Sequence, residues 1–163
     1  MHDLIYSYTE KYSNVGAIVD ANLFVLMIVG ELRPDIIGNQ RRVKEYTIND
    51  FYLLRDILSG FKKLVATPNV LTEVSNLIGE GNSEIIENVN LLFKRYVIEI
   101  SEFFKASADA ANDEYFQALG LADTTLKLLA QERYLLITVD HKLANIVDSC
   151  GYDVINFNHF RQP

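Results

Sequence analysis

The fold is decided by the stretch Leu135-Leu136-Ile137-Thr138-Val139-Asp140. It is short and rich in Leu, Ile and Val, a pattern typical of a strand that is covered on both faces in a parallel sheet. A second run, Gly16-Ala17-Ile18-Val19-Asp20, has the same character and also ends on an aspartate. Since ligands of open α/β sheets bind beyond the carboxyl ends of the strands, the two runs predict a pair of carboxylates at one ligand-binding edge.

The remaining segments alternate between strand and helix patterns. Further strands are predicted at Lys63–Ala66, at Tyr134–Val139 around the run quoted first, and at Asp153–Phe157. Helices are predicted over 2–12, Asn22–Leu32, from a cap at Asn49 or Asp50 to Gly60, from Thr67-Pro68 to about Gly79, from Asn82 or Ser83 to roughly Tyr96, over Leu121–Arg133 and over Lys142–Ser149. In the second of these helices, Leu23, Leu26, Met27 and Gly30 are predicted to form the inner side. The alternation implies one α/β domain, residues 1–163, with a central parallel sheet and right-handed crossovers.

Two segments give a weaker pattern. Residues 33–47 carry Pro34, Gly38 and a basic cluster, and they predict an exposed excursion. Residues 97–120 are predicted to be mostly helical, but Val97–Ile100 alternates like a strand, so both interpretations stay open there.

Composition limits the classes of function. The chain has 163 residues, 49% hydrophobic and 23% charged, as expected of a globular domain with a sizeable core. Its net charge of −7 argues against a protein that grips nucleic acid along a broad basic face. The apolar stretch Leu23–Val29 is too short to span a bilayer, and the N-terminus has no signal-peptide pattern. The single Cys150 excludes an internal disulfide, so a reducing cytoplasm is expected.

Asp20 and Asp140 each allow two interpretations. Each aspartate precedes a predicted helix, and an N-cap is the ordinary role at that position, for which Asn22 is the alternative to Asp20. A carboxylate at a strand end is also placed to hold a hard divalent cation. Thr138 and Asp140 are predicted to point to the same side of the strand, where a hydroxyl either orients the carboxylate or holds a metal-bound water.

Glu73 and Asp123 are the next candidates. Glu73 borders the apolar stripe of its helix, formed by Val70, Val74, Leu77 and Ile78, where either an edge residue or a ligand is expected. Asp123 precedes two threonines at the start of a predicted helix and has an N-cap as its ordinary interpretation.

Together the four acids predict a metal site. Four carboxylates within about 6 Å of one another repel by roughly 3 kcal/mol per pair at an effective dielectric constant near 20. A fold keeps such a cluster only if a positive group lies in it, and an all-oxygen ligand set favours Mg²⁺ or Mn²⁺ over Zn²⁺. Such ions catalyse phosphodiester hydrolysis, which is the predicted chemistry.

Four pieces of the chain, in this order, resemble a PIN-domain nuclease. They are Ile18-Val19-Asp20-Ala21-Asn22, Thr67-Pro68-Asn69-Val70-Leu71-Thr72-Glu73-Val74, Leu119-Gly120-Leu121-Ala122-Asp123 and Leu136-Ile137-Thr138-Val139-Asp140-His141-Lys142-Leu143. The resemblance covers about residues 15–158. It implies a three-layer fold with a parallel sheet of four to five strands flanked by helices.

The resemblance also implies function. Asp20, Glu73, Asp123 and Asp140 would hold Mg²⁺ or Mn²⁺ and cleave RNA, with Asn22 and Thr138 in supporting positions. Many bacterial members are toxins that a small antitoxin-like protein neutralises, and homodimers are frequent. Residues 31–63 form a longer connection than the compact toxins carry.

Two other functions compete with the nuclease. A haloacid-dehalogenase-like Mg²⁺ phosphatase needs a second aspartate two residues after its nucleophile, but Asn22 stands there. A non-catalytic module that binds RNA or protein would leave four mutually repelling acids without a purpose. We therefore predict a metal-dependent ribonuclease.

Overall fold

The structure is a computed structural model that describes residues 2–79 and 83–161. Its strands form one five-stranded sheet in which every neighbouring pair is parallel. The strands are β1 (Ala17–Val19), β2 (Leu64–Ala66), β3 (Ser101–Glu102), β4 (Leu135–Thr138) and β5 (Val154–Asn156). Their order across the sheet is β3-β2-β1-β4-β5. The predicted α/β class, with a parallel sheet of four to five strands, is confirmed.

Helices flank this sheet, as predicted. They are α1 (His2–Tyr12), α2 (Ala21–Leu32), α3 (Ile48–Ser59), α4 (Pro68–Ile78), α5 (Ser83–Glu99), α6 (Ser107–Ala111), α7 (Phe116–Glu132) and α8 (His141–Ser149). Asn82, the other predicted start of α5, lies outside the described residues. Among the helices of residues 2–79 and 83–161, none is long and apolar enough to cross a membrane.

The register of the two central strands brings the ends of β1 and β4 side by side. Val19 lies opposite Ile137 in the parallel pairing of these strands. One residue further on, the Asp20 N–H donates to the Ile137 carbonyl oxygen at 3.2 Å. The side chains that follow the two strands therefore meet at the same edge of the sheet.

Helix α2 is buried on all sides. The sequence predicts a single inner face, but Phe24, Val25, Ile28 and Val29 on the remaining faces are each at most 1% exposed. Helices α3, α4 and α5 pack around α2, which explains why a helix that is apolar all round is stable here. The helix thus belongs to the core, and its N-terminus lies at the edge of the sheet.

The segment 33–47 is not the exposed excursion that the sequence predicts. Ile37, Val43 and Tyr46 are buried in it, although its charged residues stay at the surface. The cap of α3 also differs from the prediction, since Thr47, and not Asn49 or Asp50, accepts the capping hydrogen bond. Asp50 completes a capping box by accepting the Thr47 N–H. The apolar residues of this segment have neither helical nor strand spacing, so no local pattern indicates that they are buried.

The segment 97–120 resolves into several short elements. Helix α5 continues to Glu99, so the alternation in Val97–Ile100 does not form a strand. The edge strand β3 follows at once and is only two residues long. Helix α7 begins at Phe116, before the predicted start at Leu121, and breaks at Gly120, whose φ of 75° is left-handed. Asp123 consequently lies inside a helix and is not its N-cap, which corrects the capping interpretation.

Candidate metal centre

Asp20 lies between the end of β1 and the start of α2. Its Oδ1 accepts a hydrogen bond from the Leu23 N–H at 2.8 Å, so it caps α2. Its Oδ2 accepts two more, from the Thr138 hydroxyl at 2.5 Å and the Val139 N–H at 2.7 Å. The residue is only 3% exposed. Asp20 is thus both a helix cap and a bridge from β1 to the end of β4.

Asp140 has the equivalent position after β4. Its Oδ1 accepts the Lys142 and Leu143 N–H groups at 2.7 and 2.9 Å and caps α8. Its own N–H donates to the Thr138 hydroxyl oxygen at 2.9 Å. A single chain of hydrogen bonds therefore runs from the Asp140 backbone through Thr138 to the Asp20 carboxylate. Thr138 orients Asp20, not the Asp140 carboxylate beside it in sequence.

Capping leaves each of these two carboxylates with unused acceptor capacity. A carboxylate has about four lone-pair positions. The three donors on Asp20 place one on Oδ1 and two on Oδ2, which leaves one position on Oδ1. In the described part of the chain, both donors to Asp140 are on Oδ1, and Oδ2 receives none. Helix capping and binding of a cation are thus compatible at both residues.

Glu73 and Asp123 come from two helices that face this sheet edge. Glu73 lies in the second turn of α4, and Asp123 lies just after the break in α7. The two helices are joined by a buried hydrogen bond of 2.9 Å between the hydroxyls of Thr67 and Thr125. Because the single Thr125 hydrogen goes to the Ala122 carbonyl, Thr67 is the donor in that bond.

Besides burial, the charges of the other three acids all raise the pKa of Asp123. Burial, and then the charges of Asp20, Asp140 and Glu73, raise the pKa of Asp123 to about 7. Glu73 is exposed at the surface of α4, but partial burial of its carboxyl and the charge of Asp20 raise its pKa as well. Four separate segments of the chain thus bring negative charge to one place.

Burial also dominates the protonation of Asp20. It raises the pKa of this carboxyl, while the hydrogen bonds from Leu23, Thr138 and Val139 act in the opposite direction and the charge of Asp140 adds to the rise. A buried carboxylate of this kind is stabilised by a neighbouring positive charge.

The four acids do not form a closed cage. Across residues 2–79 and 83–161, no three Asp, Glu, His or Cys side chains lie close enough together to hold a metal ion as they stand. Repulsion among like charges favours side-chain rotamers that keep the carboxylates apart. The donor set nevertheless fits Mg²⁺ or Mn²⁺, since it consists of oxygen atoms, has unused acceptor positions and concentrates negative charge at Asp123.

Asn22, the other predicted supporting residue, is exposed in the first turn of α2. Its position two residues after Asp20 places it at the same edge of the sheet. The structure therefore links Asp20, Thr138 and the Asp140 backbone by hydrogen bonds. It leaves Glu73 and Asp123 within range of the Asp20 charge, and it leaves Asn22 exposed at the rim.

Tyr46 and Arg161 are neighbours of the site that the sequence did not suggest. Burial, and then the charge of Asp20, raise the pKa of Tyr46. The Arg161 guanidinium lies 4.9 Å from the centre of the Tyr46 ring and bonds to Asp50 at 3.3 Å. It also donates to Asn158, whose amide donates to the Val139 carbonyl at 2.7 Å. These contacts tie the segment 33–47 to the turn that carries Asp140.

The sequence contains a signal for part of the network formed by Tyr46, Asn158 and Arg161. Asn156 lies near the end of the last predicted strand and Asn158 directly follows that strand, so both lie at the same sheet edge. Nothing in the local pattern, however, pairs Arg161 with a segment more than a hundred residues earlier.

Comparison with known proteins does not identify the chain. No model of a known protein family matches it, and no curated protein matches it either. Membership of the PIN-domain nucleases therefore stays a prediction from the residues quoted above.

Proposed function

We propose that the chain is a Mg²⁺- or Mn²⁺-dependent ribonuclease. The observation that carries the proposal is the convergence of Asp20 and Asp140, linked through Thr138, with the charge of Asp123 and Glu73 at one sheet edge. Asp20, Glu73, Asp123 and Asp140 would hold the metal. A divalent ion held by these residues would supply Lewis-acid chemistry, since it would polarise a phosphoryl oxygen, activate water and stabilise the leaving oxygen.

The residues of the chain supply rigidity and charge. The caps of α2 and α8 fix Asp20 and Asp140, so these carboxylates keep their position without reorganisation. Glu73 and Asp123 approach from α4 and α7 and complete the negative charge that attracts a cation. The neighbouring Lys142 lies at the rim, where its ammonium donates to the Ala118 carbonyl at 2.9 Å.

RNA is the proposed substrate by the resemblance, and the charge outside the site does not exclude it. Setting aside the four site acids leaves 18 of the 22 acidic residues against 15 basic ones, so the rest of the protein is close to balanced. We therefore expect modest intrinsic affinity for RNA that depends on the metal. The antitoxin-like partner and the homodimer rest on the resemblance alone and stay predictions.

A non-catalytic PIN-like module is the second candidate. It is favoured by one observation, the lack of a ready-made metal cage among the described residues. The dehalogenase-like phosphatase gains no comparable support, because Asn22 stands where that chemistry needs an acid.

The experiment is cleavage of a mixed RNA pool in Mn²⁺ by the wild type, Asp20→Asn and a matched control. Asp56→Asn serves as the control, since Asp56 is exposed on α3 and 73% of its side chain is accessible. We expect Mn²⁺-dependent cleavage by the wild type and the control, and its loss in Asp20→Asn. Equal activity of Asp20→Asn and the wild type would contradict the proposal.

A further inference from the structure

A pocket of about 300 Å³ lies beside the four acids, between α4 and α7. It is lined by Pro68, Asn69, Thr72, Glu73, Leu121 and Ala122. Glu73 belongs both to the wall of this pocket and to the candidate metal centre. Whatever occupies the pocket therefore lies next to a proposed metal ligand.

A chain of hydrogen bonds holds the two walls of the pocket in place. The N–H of Val70 donates to the Thr67 hydroxyl, Thr67 to Thr125, and Thr125 to the Ala122 carbonyl. Both threonines are fully buried. This chain of hydrogen bonds joins the first turn of α4 to the start of the second half of α7, so the pocket is built by fixed backbone and not by a loop.

The break in α7 shapes the second wall. Gly120 has a φ of 75° and nothing lies within 4 Å of the place where a Cβ would be. The left-handed residue redirects the helix, and Leu121, which is 37% exposed, and Ala122 follow it directly. A bulky apolar side chain is thereby kept at the surface on the wall of the pocket.

The residues that line the pocket favour a neutral ligand group with apolar faces and a polar edge. Pro68, Leu121 and Ala122 supply apolar surface for the faces of such a group. Asn69 has an amide that donates and accepts hydrogen bonds. The Thr72 hydroxyl donates to the Pro68 carbonyl at 2.8 Å, so its oxygen is left as an acceptor. A phosphate would be repelled, because the described lining includes the Glu73 carboxylate and no lysine or arginine.

We propose that this pocket receives one unstacked base of a single-stranded RNA and that Asn69 reads its edge. The inference rests on the proposed function and adds the part of the substrate that it recognises. An unstacked base offers apolar faces and an edge with donors and acceptors, and proteins recognise single-stranded RNA through both. The volume of about 300 Å³ is at the lower end of small-molecule sites and suits one base. Asn69 is thus a specificity-determining residue.

The first test is the distribution of cleavage sites in a random RNA pool, read by sequencing of the products. The variants are Asn69→Ala and Leu121→Asp, with Asn76→Ala as the control, because Asn76 is an exposed asparagine on the same helix outside the pocket. We expect the wild type and the control to prefer one base at a fixed position by about tenfold, the effect of one well-placed hydrogen bond. In the products that Asn69→Ala and Leu121→Asp still form, this preference should be lost. If the wild type shows no base preference, or if the preference survives in Asn69→Ala, the proposal that this pocket reads a base is wrong.

A second measurement separates the pocket from the proposed function. Adenosine, guanosine, cytidine and uridine are each titrated into the metal-free protein, and the Asn69 side-chain amide is followed by NMR. This resonance is assigned by its loss in Asn69→Ala. If the wild type cleaves no RNA, the proposed function is wrong. A shift of this amide with one nucleoside, kept in Asn76→Ala, would still support a base pocket, and no shift with any of the four would overturn it.

Discussion

The Thr138 hydroxyl donates a hydrogen bond of 2.5 Å to Oδ2 of Asp20, 118 residues away in the chain. The same hydroxyl accepts the Asp140 N–H at 2.9 Å. Thr138 is fully buried, so neither bond is replaced by water when it is lost. The two strand-end aspartates are therefore positioned by one side chain.

Replacement of Thr138 by valine tests this positioning role. Thr138→Val keeps the shape but leaves the Asp140 N–H without its acceptor and Asp20 without a donor. We expect a loss of about 1–3 kcal/mol in the free energy of unfolding, measured by urea denaturation. We also expect Mn²⁺ binding to weaken about 10–100-fold, as happens when a ligand loses the group that orients it. Thr138→Ser, which keeps the hydroxyl, should retain most of the Mn²⁺ affinity, and equal affinity in Thr138→Val would refute the role.

The charge of Asp123 predicts how stability changes with pH. Its pKa in the folded protein is about 7, whereas an unfolded aspartate titrates near 3.9. The folded state therefore binds this proton more tightly, and its stability falls as the pH rises from about 4 to about 7. Asp20, Asp140 and Glu73 are the charged groups that face Asp123 and produce this effect together with burial.

Asp123→Asn removes that charge. In EDTA at pH 8, we expect the variant to be more stable than the wild type by about 2 kcal/mol, after allowance for solvent screening of a partly exposed group. At pH 5, where the wild-type carboxyl is protonated, the difference should be small. Urea denaturation at both pH values measures this, with Asp56→Asn as the control. If Asp123→Asn is no more stable than the wild type at pH 8, the acids do not repel one another at this edge.

Gly120 determines where the second half of α7 begins. Alanine at a φ of 75° and a ψ of −177° costs about 1–3 kcal/mol, because this conformation is open essentially to glycine alone, although the surroundings offer space for its methyl group. Gly120→Ala should therefore destabilise the protein by that amount and weaken Mn²⁺ binding, because Asp123 follows the break by three residues. The matched control is Gly79→Ala, since Gly79 ends α4 with a φ of −69° that alanine adopts readily. Similar melting temperatures for the two variants would contradict the prediction.

Lys127 and Asp113 join the second half of α7 to the turn that precedes this helix. The Lys127 ammonium lies 2.7 Å from the Asp113 carboxylate, and the side chains are 6% and 9% exposed. Lys127→Met leaves the carboxylate buried and unpaired, which should cost about 3 kcal/mol in the free energy of unfolding. Lys11→Met should cost much less, because the Lys11 side chain in its pair with Asp153 is 61% exposed and the pair is screened by solvent. Equal effects of the two substitutions on urea denaturation would rule out the buried pair as a source of stability.

Much of the fold was predictable because its signals are local. The apolar runs that end on Asp20 and Asp140 are buried strands, and Thr67-Pro68 begins a helix through a threonine cap and a proline in the first turn. The parallel arrangement then places all strand ends at one edge. These inferences need only the order of residues along the chain.

The features that were missed depend on distant residues. Strand β3 is recognisable only through its pairing with β2, since two polar residues have no period. The contact of Thr138 with Asp20 depends on the register of β1 against β4, which no local pattern gives. Tyr46 is in contact with the distant Arg161, and the position of Asp123 depends on the positive φ of Gly120.

Binding of Mn²⁺ to the metal-free protein, followed by the loss of the free-ion signal in electron paramagnetic resonance, tests the central claim most directly. The wild type and Asp56→Asn should bind the ion with similar affinity. Asp20→Asn and Asp123→Asn should each bind it at least about tenfold more weakly, since both remove a ligand from one shared site. A wild type that binds no Mn²⁺, or single variants that bind it as well as the wild type, would contradict the account.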